Sequence, residues 1–299
     1  MMKLKNKVAL VAGGGQGIGE GIALCLADEG ADVAIADINA DNARMVAEKA
    51  ETMGRRALAI LADLIDESEA QKTVRKTVDF FGKIDILINN VGGVSRETMM
   101  QIQENRIASG NEALPEFMHY DSKVWDQYYR LNLKTHVMLS QAVTPYFIKQ
   151  RSGKIVNISS VAGRLPEPGH MPYGSMKAGD ISLTWSLARA LAPYNVTVNC
   201  LCPGFVYTPL WNIGATARYH MIREAKAKGQ ELPKSIAAED IETLTPKEFW
   251  LKYIVKPATP LGRDQTAEDM GRAAVFLVSE DAKNITGQIL HVDGGMTMR

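Results

Sequence analysis

Seven short runs rich in Val, Ile, Leu and Ala alternate with six longer stretches of helical periodicity, and this order limits the fold more than any other feature of the chain. The runs occupy residues 8–12, 32–36, 57–62, 84–89, 154–159, 196–200 and 288–292. The helical stretches occupy 17–29, 40–53, 67–81, 122–149, 173–191 and 267–277. Near-continuous apolar runs fit strands covered on both faces, as in parallel sheets. Parallel neighbours also need a crossover connection, which the helical stretches supply. The pattern predicts an α/β architecture: a doubly wound, seven-stranded parallel sheet with helices on both faces.

No repeat or low-complexity linker interrupts this order, so one domain over residues 1–299 is expected. Two stretches break the alternation. Residues 94–121, carrying Met99, Met100 and Leu114-Pro115, follow the fourth strand, and residues 205–260, carrying Trp211, Tyr219 and Trp250, follow the sixth. Long connections in compact domains are commonly lids or binding loops, so these insertions are expected to form an enlarged helical substrate lid.

Composition narrows the partners. The chain holds 34 basic and 34 acidic side chains, and it has no long Lys/Arg block, which argues against a nucleic-acid surface. No apolar run reaches membrane-spanning length, and the polar residues 1–7 lead straight into the first strand without room for a signal peptide. No membrane association and a cytoplasmic location are therefore expected. Cys25, Cys200 and Cys202 sit in apolar contexts that suit reduced core thiols, and no companion Cys/His cluster points to a metal.

Directly after the first strand comes Gly13-Gly14-Gly15-Gln16-Gly17-Ile18-Gly19, opening a helix. Glycines let the backbone turn tightly and approach a pyrophosphate, while the helix N-terminus presents unpaired amides to the anion. The placement between strand one and helix one is what marks a dinucleotide site. Asp37 closes the second strand, where a carboxylate can accept hydrogen bonds from ribose hydroxyls, and this points to NAD. A 2′-phosphate beside it would meet a repulsion of about 1.4 to 3 kcal/mol, and neither Gln16 nor Ile38 supplies a cation to offset it. Asp63-Leu64, ending the third strand, is a candidate adenine contact; a helix cap is the alternative for Asp63. Asn89-Asn90-Val91-Gly92, ending the fourth strand, would border the cofactor. An S-adenosylmethionine methyltransferase could share this first half of the chain, so the second half must decide.

Tyr173-Gly174-Ser175-Met176-Lys177 bears on that choice, although this spacing taken alone also fits an ordinary surface helix. Positions i and i+4 share a helix face, so the Lys177 ammonium can approach the Tyr173 oxygen. A positive charge about 4 Å from a phenol is worth on the order of 4 kcal/mol at an effective dielectric near 20, enough to make a tyrosine a proton donor and acceptor near neutral pH. Ser160 lies thirteen residues upstream.

Taken in order, Gly13-x-x-x-Gly17-x-Gly19, Asp63, Asn89-Asn90-Val91-Gly92, Asn132, Ser160, Tyr173-x-x-x-Lys177, Pro203-Gly204 and Asp293-Gly294-Gly295 resemble the short-chain dehydrogenase/reductase family, in its branch of single-domain NAD(P)-dependent oxidoreductases. The resemblance spans nearly the whole chain except the two insertions, and it implies a Rossmann-like fold. It implies that Tyr173 is the acid/base, that Lys177 holds the nicotinamide ribose and favours the phenolate, and that Ser160 hydrogen-bonds the reacting oxygen. Asn132 would position a water linking Lys177 to solvent. The thirteen-residue interval selects Ser160 over Ser159. Gly13, Gly15, Gln16, Gly17, Ile18 and Gly19 would hold the cofactor with Asp37, Ile38, Asp63, Leu64, Asn90, Val91 and Gly92. Pro203 and Gly204 would shape the nicotinamide pocket, with Val206 and Thr208 near the carboxamide. Ala12 and Val91 depart from the family's usual threonine and alanine, which implies local repacking.

The activity expected is NAD-dependent interconversion of a secondary alcohol and a ketone, with a catalytically inactive NAD-binding regulator or scaffold as the alternative. Substrate contacts are expected from Ser160 and Tyr173, from Arg164, Glu167, His170 and Met171 in the loop between them, and from Tyr207, Trp211 and Ile213 at the start of the lid. The lid aromatics could equally pack a core of the lid's own. The family forms a four-helix interface from the helices equivalent to 122–149 and 173–191, so a homotetramer is expected.

Overall fold

A computed structural model describes residues 2–109, 114–166, 170–233 and 235–298. Seven parallel strands form one sheet in the order β3-β2-β1-β4-β5-β6-β7: β1 (Val8–Ala12), β2 (Asp32–Asp37), β3 (Ala57–Leu61), β4 (Ile86–Asn89), β5 (Gly153–Ile158), β6 (Val196–Pro203) and β7 (Ile289–Val292). The sequential order of the strands across the sheet reverses at β1, which pairs with β2 on one side and β4 on the other. Ligands of such sheets bind outside the carboxyl ends of the strands at that switch point.

The helices are α1 (Gly17–Asp28), α2 (Ala40–Thr52), α3 (Glu67–Phe81), α4 (Arg96–Ser109), α5 (Ser122–Tyr129), α6 (Thr135–Gln150), α7 (Met171–Leu191), α8 (Pro209–Ala227), the short α9 (Asp240–Thr243), α10 (Pro246–Trp250) and α11 (Lys256–Ala258), and α12 (Ala267–Val278). Every residue of β1 is buried, and successive side chains enter opposite cores. Ala9 and Val11 join Ile22 and Leu26 of α1 and Met270 and Ala274 of α12; Val8, Leu10 and Ala12 join Leu139, Val143 and Phe147 of α6. The expected two-sided sheet is therefore present. Among the described residues no helix is long and apolar enough to cross a membrane, and Cys25, Cys200 and Cys202 are free and buried.

Two departures from the sequence reading have physical causes. The helix expected over 122–149 is interrupted by a π-helical turn, Arg130–Lys134, between α5 and α6. That extra residue in the turn turns Asn132 inward, where its amide bonds backbone rather than solvent. Inside the 94–121 insertion, α4 escaped the periodicity test because Thr98 is its buried side chain, Ile102 alone adds a half-buried apolar contact, and the rest of the helix is polar or exposed. In the second insertion, α8 to α11 build small cores of their own: Tyr219, Ile222, Ile241 and Phe249 in one, and Ala215, Trp250 and Val255 in another.

Candidate active site

The carboxyl ends of β1, β2 and β4 meet at the glycine turn. Gly13 and Gly17 have φ of +70° and +59°, conformations that L side chains resist. Gly19 is fixed by space rather than torsion: a Cβ there would lie 2.0 Å from the Gly13 carbonyl oxygen. The turn is tied down from both neighbouring strands. Asn90 Nδ2 donates to the Gly13 oxygen at 2.8 Å, and Asp37 Oδ2 accepts from the Gly15 amide at 2.9 Å. Asp37 Oδ1 accepts from the Asn39 amide at 3.0 Å, and Asn39 in turn caps α2.

Around this turn the predicted cofactor residues separate by environment. Gln16 is exposed at the N-cap of α1, Ile18 is half-buried, and Ile38 is 67% exposed beside Asp37. Thr208 lies over the turn, its Cγ2 3.3 Å from where a Gly17 Cβ would be, and it caps α8. Val91 packs against Gly13. Asp63 is exposed and its carboxylate accepts from the Ile65 amide at 3.1 Å, so it makes the local turn that leads into α3, while the Leu64 side chain is buried. Val206 as a whole lies in the core beside the sheet at 1% exposure. Gly204 follows Pro203 where a Cβ would lie 2.9 Å from Asp293 Cα, which explains why Pro203-Gly204 and Asp293-Gly294-Gly295 occur together.

Beyond β4 and β5 stand the residues expected to carry the proton chemistry. Tyr173, half-buried in the first turns of α7, packs against Tyr120, Val124 and Tyr128. Lys177 lies one turn on and is 2% exposed; its Nζ is 5.9 Å from the Tyr173 ring centroid. The ammonium donates to the Ile158 carbonyl at 2.8 Å and to Asp180 Oδ2 at 3.0 Å. Burial opposes the Lys177 charge, but Asp180 and its surroundings outweigh this and raise its pKa above the ordinary value. A Cβ on Gly92 would lie 3.0 Å from both Lys177 Nζ and Asn132 Oδ1, so this glycine leaves the gap through which the two groups face the β4 turn.

The serines are sorted by their bonds. Ser159 is buried and donates to the Lys177 carbonyl at 2.7 Å; Ser160 is half-buried and its Oγ accepts from the Ala162 amide at 3.1 Å. Two glycines, not singled out by the sequence reading, let this serine turn touch α7. A Cβ on Gly163 would lie 2.8 Å from the Lys177 carbonyl carbon, and one on Gly174 would lie 2.9 Å from the Ala162 oxygen. The Asn132 side chain is occupied by Gly93, accepting from its amide at 2.6 Å and donating to its carbonyl at 2.9 Å, with a further bond to the Tyr128 carbonyl at 3.1 Å. The amide group of Asn132 is thus fully engaged by backbone.

The residues expected near the substrate are spread over the lid and the loop before α7. Phe205, Tyr207 and Trp211 pack around the fully buried Trp250, with ring centroids 6.0, 5.0 and 5.8 Å from it. Tyr207 and Trp211 thus serve the lid's own packing, and Ile213 is 69% exposed. Arg164 and His170 are exposed, Met171 is 40% exposed, and Glu167 lies outside the described residues. His136 and Asp180 were missed altogether. Their signal was positional: an acid three residues after Lys177 and a histidine four residues after Asn132 share helix faces with them.

The model of the short chain dehydrogenase family matches residues 7–217. The chain belongs to the short-chain dehydrogenase family. A second family model, described as enoyl-(acyl carrier protein) reductase, matches residues 234–297. The 3-oxoacyl-(acyl-carrier-protein) reductase of Thermotoga maritima is 31% identical over 99% of this chain and 100% of its own length. Among solved structures, a 7α-hydroxysteroid dehydrogenase complexed with NADH and 7-oxo glycochenodeoxycholic acid is 28% identical, with a TM-score of 0.74 covering 100% of this chain and 97% of that one. NAD+-bound xylitol dehydrogenase is 27% identical, with a TM-score of 0.77 covering 98% and 100%. The short-chain dehydrogenase fold, an oxidoreductase function and a nicotinamide cofactor follow from these matches. The glycine cradle, the tied Asp37 and the amides at the start of α1 fit such a cofactor.

Proposed function

We propose that this short-chain dehydrogenase uses NAD to interconvert a secondary alcohol and a ketone, with Tyr173 as general acid/base. The carrying observation is the buried Lys177 ammonium one helical turn from the half-buried Tyr173, with the Ser160 turn pressed onto the same helix. When bound, the nicotinamide supplies the hydride chemistry. The protein's share is to hold the oxygen of the substrate and to manage its proton. Tyr173 gives its phenolic proton to the carbonyl oxygen in reduction and takes the hydroxyl proton in oxidation. Ser160 Oγ donates to that oxygen, and Lys177 stabilises the phenolate. Asn132, through its π-helical turn, completes the group.

The preference for NAD rests on Asp37. Its carboxylate is 9% exposed and fixed by two backbone amides, so it cannot swing away from a 2′-phosphate, and the neighbouring Ile38 offers no cation. The NADH and NAD+ complexes of the two structural relatives agree with this reading. Residues 13, 15–19, 37–38, 63–64, 90–92, 203–204, 206 and 208 together with Tyr173 and Lys177 make up the proposed cofactor surface. The 3-oxoacyl reductase relative acts on a ketone, which makes reduction the first direction to screen. The insertions 94–121 and 205–260 would close over the substrate as parts of one domain. A substrate panel followed by NADH absorbance in both directions, with NAD and NADP side by side, tests the proposal. Turnover with a clear NAD preference is expected. A strong NADP preference would overturn the role given to Asp37, and NADH binding without turnover on any substrate would favour an inactive nucleotide-binding regulator.

A further inference from the structure

Behind the Lys177 ammonium stands a pair of side chains that the reaction described above does not use. Asp180 Oδ2 accepts from Lys177 Nζ at 3.0 Å, and Asp180 Oδ1 lies 2.8 Å from His136 Nδ1. The other ring nitrogen, His136 Nε2, lies 2.8 Å from the Val91 carbonyl oxygen in the turn after β4. Both His136 and Asp180 are 0% exposed, so each nitrogen is confined to that partner.

The bonding fixes the protons. A carbonyl oxygen only accepts, so Nε2 carries a hydrogen; an ionised carboxylate only accepts, so Nδ1 carries one as well. A neutral imidazole has a single N–H, and the arrangement is met by an imidazolium against a carboxylate. Although burial raises the Asp180 carboxyl, His136 and Lys177 outweigh it and hold the group below the ordinary carboxylate range. The charge count then matters. Asp180 alone would cancel the positive charge of Lys177, whereas Asp180 paired with a cationic His136 is neutral as a unit.

We propose that His136 and Asp180 are positioning residues: a neutral imidazolium–carboxylate pair that fixes Lys177 from behind while leaving its positive charge available to Tyr173. Of the titratable groups around this set among the described residues, Cys200, Tyr128 and Tyr120 stay uncharged near neutral pH, while Cys202, two residues on from Cys200, is pulled down to about 5 by its hydrogen bond with Cys200 and by His291. From β6, Cys200 faces Lys177 and Asp180, and its hydrogen bond with Cys202 together with burial pushes its thiol well above the ordinary value. From α5, Tyr128 faces Tyr173, and burial pushes its phenol up to about 12; burial does the same to Tyr120 beyond it. From β5 the Ile158 carbonyl reaches Lys177.

This rests on the Tyr173–Lys177 reading, and the test separates the two. If that reading fails, Tyr173→Phe retains turnover; if only the present proposal fails, Tyr173→Phe is inactive and the charge-changing variants behave alike. His136→Asn keeps a donor toward Asp180 but removes the charge, so the carboxylate is left to cancel Lys177. The apparent pKa of alcohol oxidation is then expected to rise by about one unit or more. In the double variant His136→Asn with Asp180→Asn the carboxylate is gone too, and that pKa is expected to return toward the wild-type value. Profiles that superimpose on the wild type, or a double variant as displaced as the single one, would overturn the proposal. Should the variants not fold, 15N NMR of the wild-type protein reads the histidine directly. Both ring nitrogens of His136, each facing an acceptor, are expected to carry hydrogens in the folded enzyme, and a bare nitrogen would overturn the assignment.

Discussion

Asp37 connects the glycine turn to the proposed choice of cofactor. Its two carboxylate oxygens accept from the Gly15 and Asn39 amides, which orients the group toward the end of β2. Asp37→Ser is expected to shift the ratio of kcat/KM for NADP over NAD by about tenfold or more toward NADP, the reverse of a repulsion of about 1.4 kcal/mol or more; an unchanged ratio in steady-state assays would contradict the assignment. The Asp180 carboxylate has a different consequence, in stability. Its pKa in the folded chain lies below the unfolded value, so its contribution is present above about pH 4 and is lost as pH falls through the folded pKa. Asp180→Asn leaves a buried ammonium without its partner and is expected to cost about 3 kcal/mol at pH 7. Urea titrations should show the gap to wild type narrowing at the lowest pH where both fold; a gap independent of pH would exclude a titrating Asp180. At this scale the sequence was legible where one residue type answers one requirement, as with Gly13, Gly17, Gly19 and Asp37. His136 and Asp180 were not legible, because their meaning depends on two helices facing each other across the end of the sheet.

The elements explain how residues from distant segments reach one place. α7 begins at Met171, two residues before Tyr173, so the proposed catalytic pair sits near an N-terminal end, and the turn carrying Ser160 is pressed against it through Gly163 and Gly174. Gly174→Ala would place a methyl carbon 2.9 Å from the Ala162 oxygen, closer than real contacts allow, and the turn must move. A displacement near 1 Å costs about 100-fold in well-positioned chemistry, so kcat is expected to fall by about 10- to 100-fold while NAD affinity is spared. Unchanged kcat would show that the Ser160 turn does not need this approach. Strand positions and most helix starts were readable from periodicity. The π-helical turn at Arg130–Lys134 and the polar α4 were not, because periodicity tests assume regular geometry and a buried face.

At the scale of the whole molecule, the sheet gathers the ends of β1, β2, β4, β5 and β6 on one edge, and the two insertions follow strands on that edge. The lid aromatics illustrate a limit of sequence: Trp211 and Tyr207 had the composition of a substrate wall, yet they close around Trp250. Composition names apolar side chains without saying which surface they meet. On the opposite flanks, Met138, Ala142 and Tyr146 of α6 are half-buried and Trp185 of α7 is 48% exposed, more apolar surface than one sheet face uses. Static light scattering is expected to give the mass of a tetramer, and a mass equal to the 32.7 kDa chain would contradict it. All of these features converge on Tyr173, and the most direct test is Tyr173→Phe assayed for both NADH binding and turnover. The account predicts turnover lowered by about 1,000-fold or more, since a general acid/base contributes about 100- to 10,000-fold, with NADH affinity within a few-fold of wild type. Turnover at the wild-type rate would contradict it.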